Sequence, residues 1–455
     1  MCFCAVVRLL ALAFVLSAFP LPAAGRAVDL RDAVADDVRR FSQRPSDYLF
    51  AFSRPWVDAE EQKRLSEAVT GAFFSPWSGE GRSDAESMMA GASDFFTAEL
   101  WGANLRPIDA KRREAISDEA DLGSFPSMLR CAIIVSDTDC RVFPTELPAF
   151  GDPDAAGEGF PFDYMQNSRF RVGTPVLVRH ESRGGGWLFV EGAHFSGWVK
   201  RRDAAFAGVG FMRGYDTGDM AAIVSDGTAL RDSRGRFLAQ ADVGSLFPVA
   251  GRAGDSLVLN VPLRGGDGRA RVGRAVVPRS DAAEFPLAFN AANVARLADA
   301  LRGSAYGWGG LFGGRDCSQF LQELYLPFGI PLPRNSAAQR EAFPSFDVSR
   351  LSPEDKLSAV RSLGTPFRTL LALRGHIGVY VGTRGGVPLM MHCSWGVPLD
   401  EGGAGGRLLF GGVVITSLRP GKELPRVDED VLLDKLEALV FLPGAGHSGD
   451  VPSEE

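Results

Sequence analysis

The chain has 455 residues, a length that predicts about two to four domains. Hydrophobic residues make up 45% of it and charged residues 23%, as in ordinary soluble globular proteins. The net charge is -7 and no segment concentrates Lys and Arg, so a nucleic-acid partner is not expected.

The first 25 residues have the layout of a secretory signal. Arg8 supplies a positive charge, residues 9–19 are almost all apolar, and small residues follow at positions 23–25. The apolar run is too short to span a bilayer, although a membrane anchor is the alternative interpretation. We therefore expect a signal peptide over residues 1–25, no stable membrane anchor, and an exported protein in the periplasm or outside the cell.

Residues 26–120 are predicted to form an N-terminal helical segment. Residues 59–72 carry apolar side chains at helical intervals among Glu, Lys and Arg. Ser75-Pro76-Trp77 interrupts this pattern, because proline is not tolerated inside a helix.

Short strands and glycine-rich turns dominate the next part of the chain. The segment at 132–141 is echoed at 222–231, which indicates two related units. We predict two small β-barrels in tandem, over residues 121–206 and 207–283. Cys131 and Cys140 flank a strand and its turn, and whether they form a disulfide is left open by the sequence.

Helices and strands are mixed in the last domain, predicted over residues 284–444. A glycine-dense loop at 303–314 precedes a helical pattern at 317–328, and strands are predicted at 377–381 and 387–391. The polar tail over residues 445–455 is predicted to be disordered.

Cys317 is the first candidate for a chemical role, because it lies where the glycine loop ends and the helix begins. The positive end of a helix dipole favours a thiolate, and such cysteines have pKa values of about 3.5–7.5. The thiolate is the nucleophilic form of cysteine. A buried and inert cysteine is the alternative interpretation.

Two of the five histidines lie on the predicted strands that follow Cys317. His376 begins one strand and His392 ends the next, so both rings can reach one edge of a sheet. A nucleophile, a base and a residue that orients the base would then be Cys317, His376 and His392. Packing roles remain possible for each histidine. A zinc site is not expected, because close ligand pairs are missing.

These residues occur in motifs that resemble the NlpC/P60 family of cell-wall cysteine peptidases. The motifs are Tyr306-Gly-Trp-Gly-Gly310, Asp316-Cys317-Ser318, Gly375-His376-Ile-Gly-Val-Tyr-Val-Gly382, and His392 followed by Trp395-Gly396. The resemblance covers residues 286–442. The tandem barrels resemble the bacterial SH3-like domains that often precede this domain, and Phe74-Ser-Pro-Trp77 is similar to the family's helical stabilising segment.

The resemblance implies a multidomain protein whose papain-like α+β catalytic domain follows two SH3-like barrels and an N-terminal helical segment. It implies the catalytic residues Cys317 as nucleophile, His376 as base and His392 as third member. It also implies four substrate-binding residues, which are Tyr306, Trp308, Asp316 and Ser318. One departure is Gln319, where the family commonly has a small residue.

The implied activity is hydrolysis of the γ-D-glutamyl–diamino acid bond in peptidoglycan stem peptides, the murein tripeptide and tetrapeptide. A free N-terminal L-alanine is expected, with Asp316 paired to its ammonium group. No metal or organic cofactor is expected, and the protein is expected to be a monomer. The alternatives are a cysteine amidase or acyltransferase of the same fold, and a wall-binding protein without activity.

Overall fold

The computed structural model describes residues 35–49, 54–84, 93–155, 158–399, 406–424, 427–428 and 430–444. The predicted signal peptide at 1–25 and the predicted disordered tail at 445–455 lie outside these residues. Within the described part of the chain, no helix has the length and apolarity that a bilayer crossing requires.

The chain begins with short helices that pack against the later domains. They are α1 (Ala35–Arg40), α2 (Ala59–Phe74), α3 (Ser93–Thr97) and α4 (Ala110–Ala120). In α2 the side chain of Asp58 accepts a hydrogen bond from the Glu61 backbone N–H, and Leu65 and Val69 are buried. A 3₁₀ turn over Ser75–Ser78 follows it, as the proline predicts.

The first barrel is one antiparallel sheet of seven strands in the order β3-β2-β6-β5-β4-β1-β7. Its core consists of apolar side chains from alternate strand positions, including Ile134, Val178, Leu188 and Val199. The strands are β1 (Arg130–Ile134), β2 (Thr138–Arg141), β3 (Gln166–Phe170), β4 (Pro175–Glu181), β5 (Trp187–Glu191), β6 (Ser196–Lys200) and β7 (Ala204–Phe206).

The second barrel follows helix α5 (Val209–Tyr215) and combines a five-stranded sheet, β13-β12-β11-β8-β14, with the hairpin β9-β10. Phe247, Leu257, Leu259 and Val277 fill its core. The strands are β8 (Met220–Ile223), β9 (Thr228–Arg231), β10 (Phe237–Ala241), β11 (Leu246–Ala253), β12 (Ser256–Arg264), β13 (Ala270–Pro278) and β14 (Ala282–Phe285).

The last domain is built on an antiparallel sheet of six strands in the order β15-β20-β16-β17-β18-β19. Its helices are α6 (Ala291–Leu301), α7 (Cys317–Tyr325), α8 (Ser336–Glu341) and α9 (Pro353–Leu363). Its strands are β15 (Ser345–Asp347), β16 (Thr369–Leu373), β17 (His376–Arg384), β18 (Val387–Leu399), β19 (Gly406–Ser417) and β20 (Leu436–Phe441). Phe320, Leu321 and Leu324 of α7 share one apolar core with residues of the sheet.

A buried ionic cluster joins both barrels to helix α7. The Glu323 carboxylate accepts hydrogen bonds from Arg171 of the first barrel, at 2.7 and 2.9 Å, and from Arg315, at 2.6 Å. Arg315 also forms a bidentate pair with Asp226 of the second barrel, at 2.7 Å on both oxygens. Because buried ions are stable only when paired, this cluster fixes the barrels against the helix that begins at Cys317.

The cysteines of the described residues are Cys131, Cys140, Cys317 and Cys393, and all four are free thiols. The disulfide that the sequence left open between Cys131 and Cys140 is therefore not formed in this structure. Cys131 Sγ lies 3.7 Å from the Trp77 carbonyl oxygen, and Cys140 is fully buried in the first barrel.

Candidate active site

A cavity of about 380 Å³ lies where the N-terminus of α7 meets strands β17 and β18. Cys317 and His376 both line it, together with Tyr306, Trp308, Asp316 and Ser318. The first barrel contributes part of the wall through Phe162, Gln166 and Asn167. The structure thus brings the sequence-predicted residues together at one concave surface, as ligand and active sites require.

The loop before Cys317 is held in place by backbone hydrogen bonds. Arg315 N–H donates to the Ala305 carbonyl at 3.0 Å, and Gly307 N–H donates to the Arg315 carbonyl at 2.9 Å. A Cβ on Gly314 would lie 2.7 Å from the Gly307 nitrogen, so only glycine fits there. This close crossing of two backbone segments places Cys317 at the first position of α7.

The environment of Cys317 raises the pKa of its thiol to about 12. Burial is the main cause, and the Asp316 carboxylate adds to it, while backbone N–H groups of Ile377 and Ser318 act in the opposite direction. The sequence-based expectation of a depressed pKa at the helix start is therefore wrong. Desolvation of the charged form exceeds the benefit of the helix dipole, so the thiol is neutral before substrate binds.

His376 and His392 form a direct hydrogen bond between their rings, from Nε2 of His376 to Nδ1 of His392 at 2.8 Å. His392 is fully buried, and its Nε2 lies 3.0 Å from the Thr416 hydroxyl. The close approach of strands β17 and β18 depends on Gly378, where a Cβ would lie 3.0 Å from that of His392.

The position of each proton in this chain follows from the last acceptor. Thr416 Oγ1 donates to the Ser417 carbonyl oxygen at 2.8 Å, so it accepts from His392 Nε2–H. A neutral His392 that carries its proton on Nε2 accepts at Nδ1, and His376 Nε2–H is then the donor. His376 Nδ1 is thus left without a proton and is available as a base.

Burial also lowers the pKa of both rings. The pKa of His376 falls to about 4, chiefly through burial and secondarily through the charge of Lys435, with Asp316 opposing. The pKa of His392 lies well below its usual value, because the ring is buried and next to His376. Both imidazoles are therefore neutral at pH 7, as the proton arrangement requires.

Tyr306 and Trp308 belong to an aromatic wall of the cavity. The Phe162 ring of the first barrel packs edge-on against both, with centroid distances of 6.3 Å to Tyr306 and 5.4 Å to Trp308. Trp395 lies 6.0 Å from Tyr306. Burial, the main cause, and the neighbouring Cys317 and Asp316 raise the pKa of Tyr306, so its phenol stays protonated and can donate a hydrogen bond.

Asp316 and Ser318 line the cavity but already have partners. The Asp316 carboxylate pairs with the Arg334 guanidinium, at 2.6 and 3.0 Å, and caps α7 by accepting from the Gln319 backbone N–H at 2.9 Å. It also accepts from Gly309 N–H at 3.1 Å and from the Ser318 hydroxyl at 3.0 Å. With five donors on two oxygens, Asp316 has no vacancy for the substrate ammonium that the sequence assigned to it.

Arg334 is the first residue near the site that the sequence interpretation missed. Its side chain is buried and donates to Ser168 of the first barrel at 2.7 Å as well as to Asp316. Gln319, the departure from the family pattern, accepts from Arg334 at 3.3 Å and donates to Glu323 at 2.9 Å. The departure thus links the Asp316 pair to the buried ionic cluster.

Three further cations line the cavity and carry no sequence signal of their own: Arg374, Arg407 and Lys435. Arg374 occupies the turn just before His376, and its backbone N–H donates to the Lys435 carbonyl at 2.8 Å. Among the described residues no group of three or more His, Cys, Asp and Glu side chains is arranged to hold a metal ion.

Four family models match successive parts of the chain. The NlpC/P60 stabilising domain (N term) matches residues 2–125, and the SH3 domain (SH3b1 type) matches residues 148–200. The SH3 domain of SH3b2 type matches residues 210–253, and the NlpC/P60 family matches residues 303–394. The predicted family resemblance and the predicted multidomain fold class are confirmed by these matches.

Solved structures show the same fold. An NlpC/P60 endopeptidase from Photobacterium damselae subsp. piscicida is 22% identical, with a TM-score of 0.78, over 89% of this chain and 97% of the other. An NlpC/P60 family protein from Bacillus cereus ATCC 10987 is 16% identical, with a TM-score of 0.46, over 69% of this chain and 100% of the other. No protein with a curated description matches the chain.

Proposed function

Because the chain carries an NlpC/P60 domain behind two SH3-type domains, we propose that it is a cysteine peptidase of the bacterial cell wall. Its proposed substrate is the γ-D-glutamyl–diamino acid bond of peptidoglycan stem peptides. The main support is the hydrogen-bonded series His376–His392–Thr416 beside Cys317, which leaves one ring nitrogen ready to accept the thiol proton.

The first half of the proposed reaction starts from a neutral pair. His376 Nδ1 takes the proton of the Cys317 thiol while the sulfur forms a bond to the γ-glutamyl carbonyl carbon. The carbonyl oxygen becomes an oxyanion, for which the Cys317 backbone N–H and the Tyr306 phenol are the proposed donors. One such donor typically contributes about 2.7–4 kcal/mol to the transition state.

In the second half, protonated His376 gives its proton to the leaving amine as the C–N bond breaks, and a thioester with Cys317 remains. Water then attacks the thioester carbon and passes a proton to His376. The C–S bond breaks, and the proton returns to the Cys317 sulfur. His392 keeps its role throughout, because its hydrogen bond stabilises the positive charge on His376 and fixes the orientation of the ring.

We also propose that the acyl half of the substrate is a short stem with a free N-terminal L-alanine. Phe162, Gln166 and Asn167 of the first barrel bound the cavity, which restricts the room for an attached glycan strand. Asp316 is not proposed as the partner of the ammonium group, since Arg334 occupies it. The pocket residues that face the amine are the aromatic wall of Tyr306, Trp308 and Phe162, whose π faces attract cations.

Export to the periplasm or the cell exterior is proposed from the pattern of residues 1–25. A monomer is sufficient for the proposed chemistry, because one chain supplies every residue of the proposed site. Fractionation of cells that express the full chain, with sequencing of the mature N-terminus, tests the location.

The test of function is mass spectrometry of products from L-Ala-γ-D-Glu-diaminopimelate, with and without an N-terminal acetyl group. Free diaminopimelate is expected from the unblocked peptide. Cys317→Ala and His376→Ala are expected to abolish its release, and His392→Ala to reduce it. Cys131→Ala, a thiol substitution outside the cavity, is the matched control and keeps full activity.

The outcomes separate the parts of the proposal. Cleavage of both peptides would retain the peptidase and reject the requirement for a free amine. If neither peptide is cleaved although iodoacetamide labels Cys317, the peptidase is rejected in favour of an amidase or acyltransferase. Labelling of Cys393 before Cys317 would overturn the assignment of the nucleophile.

A further inference from the structure

Three positive side chains converge on the cavity without an acidic partner. We call Arg374, Arg407 and Lys435 the basic rim. Among the residues that the structure describes, none of the three forms an ion pair. The one carboxylate that lines the cavity, Asp316, is neutralised by Arg334. The basic rim therefore leaves the cavity with excess positive charge.

The three cations repel one another, which is a cost that an anionic ligand relieves. Burial lowers the pKa of Lys435, and the charges of Arg407 and Arg374 lower it further. Arg407 is held by one hydrogen bond to the Gly396 carbonyl at 2.9 Å, and its guanidinium lies 5.3 Å from the Phe162 ring centroid. Its Nε–H is buried with no acceptor in the structure. An unmade hydrogen bond of this kind is itself unfavourable.

The basic rim lies on the side of the candidate base. Arg374 is two residues before His376 in the chain, and Lys435 is close enough that its charge lowers the pKa of that histidine. In the proposed reaction His376 protonates the leaving amine, so the leaving half of the substrate is placed next to His376. The groups that contact the rest of the leaving diamino acid are therefore those of the basic rim.

We infer that the basic rim is a carboxylate subsite for the leaving diamino acid, and that it selects diaminopimelate over lysine. This inference rests on the proposed function. In a tripeptide the two leaving groups share the α-carboxylate and a side-chain ammonium, and diaminopimelate differs by one further carboxylate at its far end. Arg and Lys bind carboxylates through charge-assisted hydrogen bonds, so this one group decides the preference.

The experiment compares kcat/KM for three tripeptides that share L-Ala-γ-D-Glu and end in diaminopimelate, in diaminopimelate amidated at the far carboxyl, or in lysine. The amidated form keeps the size of diaminopimelate and removes its extra charge. The expected preference for diaminopimelate over the other two is about tenfold, the effect of one charge-assisted hydrogen bond. Lys435→Gln and Arg407→Gln are expected to reduce this ratio to about twofold.

Arg302→Gln is the matched control, since it removes one positive charge from an exposed position outside the cavity. It is expected to leave the ratio between substrates unchanged. Equal kcat/KM for all three tripeptides, or a preference that survives both rim substitutions, would overturn the carboxylate subsite and leave the peptidase intact. If no tripeptide is cleaved, the proposed function fails and the subsite fails with it.

Discussion

Thr416→Val probes the proposed proton arrangement at its far end. Valine has nearly the shape of threonine but cannot accept the hydrogen bond from His392 Nε2–H, which is 3.0 Å long. His392 is fully buried, so water does not replace the lost acceptor. An unsatisfied buried N–H costs about 1–3 kcal/mol.

The ring of His392 avoids that cost only by moving its proton to Nδ1. That proton then faces His376 Nε2–H across the 2.8 Å contact, and His376 must in turn carry its proton on Nδ1. A His376 in this form cannot accept the thiol proton of Cys317. The cost of keeping the active form is about 1–3 kcal/mol, which corresponds to a fall in kcat of about 5- to 100-fold.

The assay is release of diaminopimelate from the unblocked tripeptide, with kcat and KM measured separately. KM is expected to stay within about twofold of the native value, because Thr416 does not line the cavity. Thr416→Ser restores the hydroxyl and is expected to recover most of kcat. If folded Thr416→Val protein has the native kcat, or if serine and valine variants are equally slow, the proton arrangement is refuted.

Two further predictions concern pH and stability. The value of kcat/KM is expected to fall on the acid side with a midpoint near about 4, where His376 is protonated, and to show no alkaline step below pH 9, because the pKa of the Cys317 thiol is about 12; an acid midpoint near 6.5 would contradict the burial of His376. Since the folded pKa of His376 is depressed from 6.5 to about 4, the unfolded chain binds more protons between these values, and urea denaturation should show a free energy of unfolding that falls as pH drops through this window. Glu323→Gln leaves two buried arginines facing a neutral amide and is expected to destabilise the chain by about 3–5 kcal/mol. Glu341→Gln, at an exposed ion pair on α8, is the control, with an expected change of less than about 1 kcal/mol, and equal losses in the two variants would reject the structural role of the cluster.

The features that the sequence predicted are those encoded by short segments. The apolar face of α7, with Phe320, Leu321 and Leu324, follows from helical spacing, and these side chains do pack on the sheet. Cys317 at the helix start and His376 at a strand start follow from the glycine loop and the alternation of apolar residues. Each of these predictions depends on neighbours only a few positions away.

The features that the sequence did not predict depend on residues far apart in the chain. Arg334 reaches Ser168 across 166 positions, and Arg171 reaches Glu323 across 152. No periodicity marks such a pair, because each arginine alone has the pattern of a solvated surface residue. The expected partner of Asp316 was wrong for this reason, since Arg334 becomes its partner only when the first barrel packs on the catalytic domain.

The wrong expectation for the Cys317 pKa bears directly on how the proposed enzyme is controlled. A helix N-terminus contributes about 0.3–1 kcal/mol to a nearby anion, which is less than the cost of removing a thiolate from water in this cavity. Because the resting thiol and imidazole are both neutral, reactivity depends on which nitrogen of His376 carries the proton. That choice is made by Thr416 and the Ser417 carbonyl, two residues behind the site and out of reach of substrate. The acidic loss of activity and the effect of Thr416→Val therefore test the same neutral pair from opposite ends.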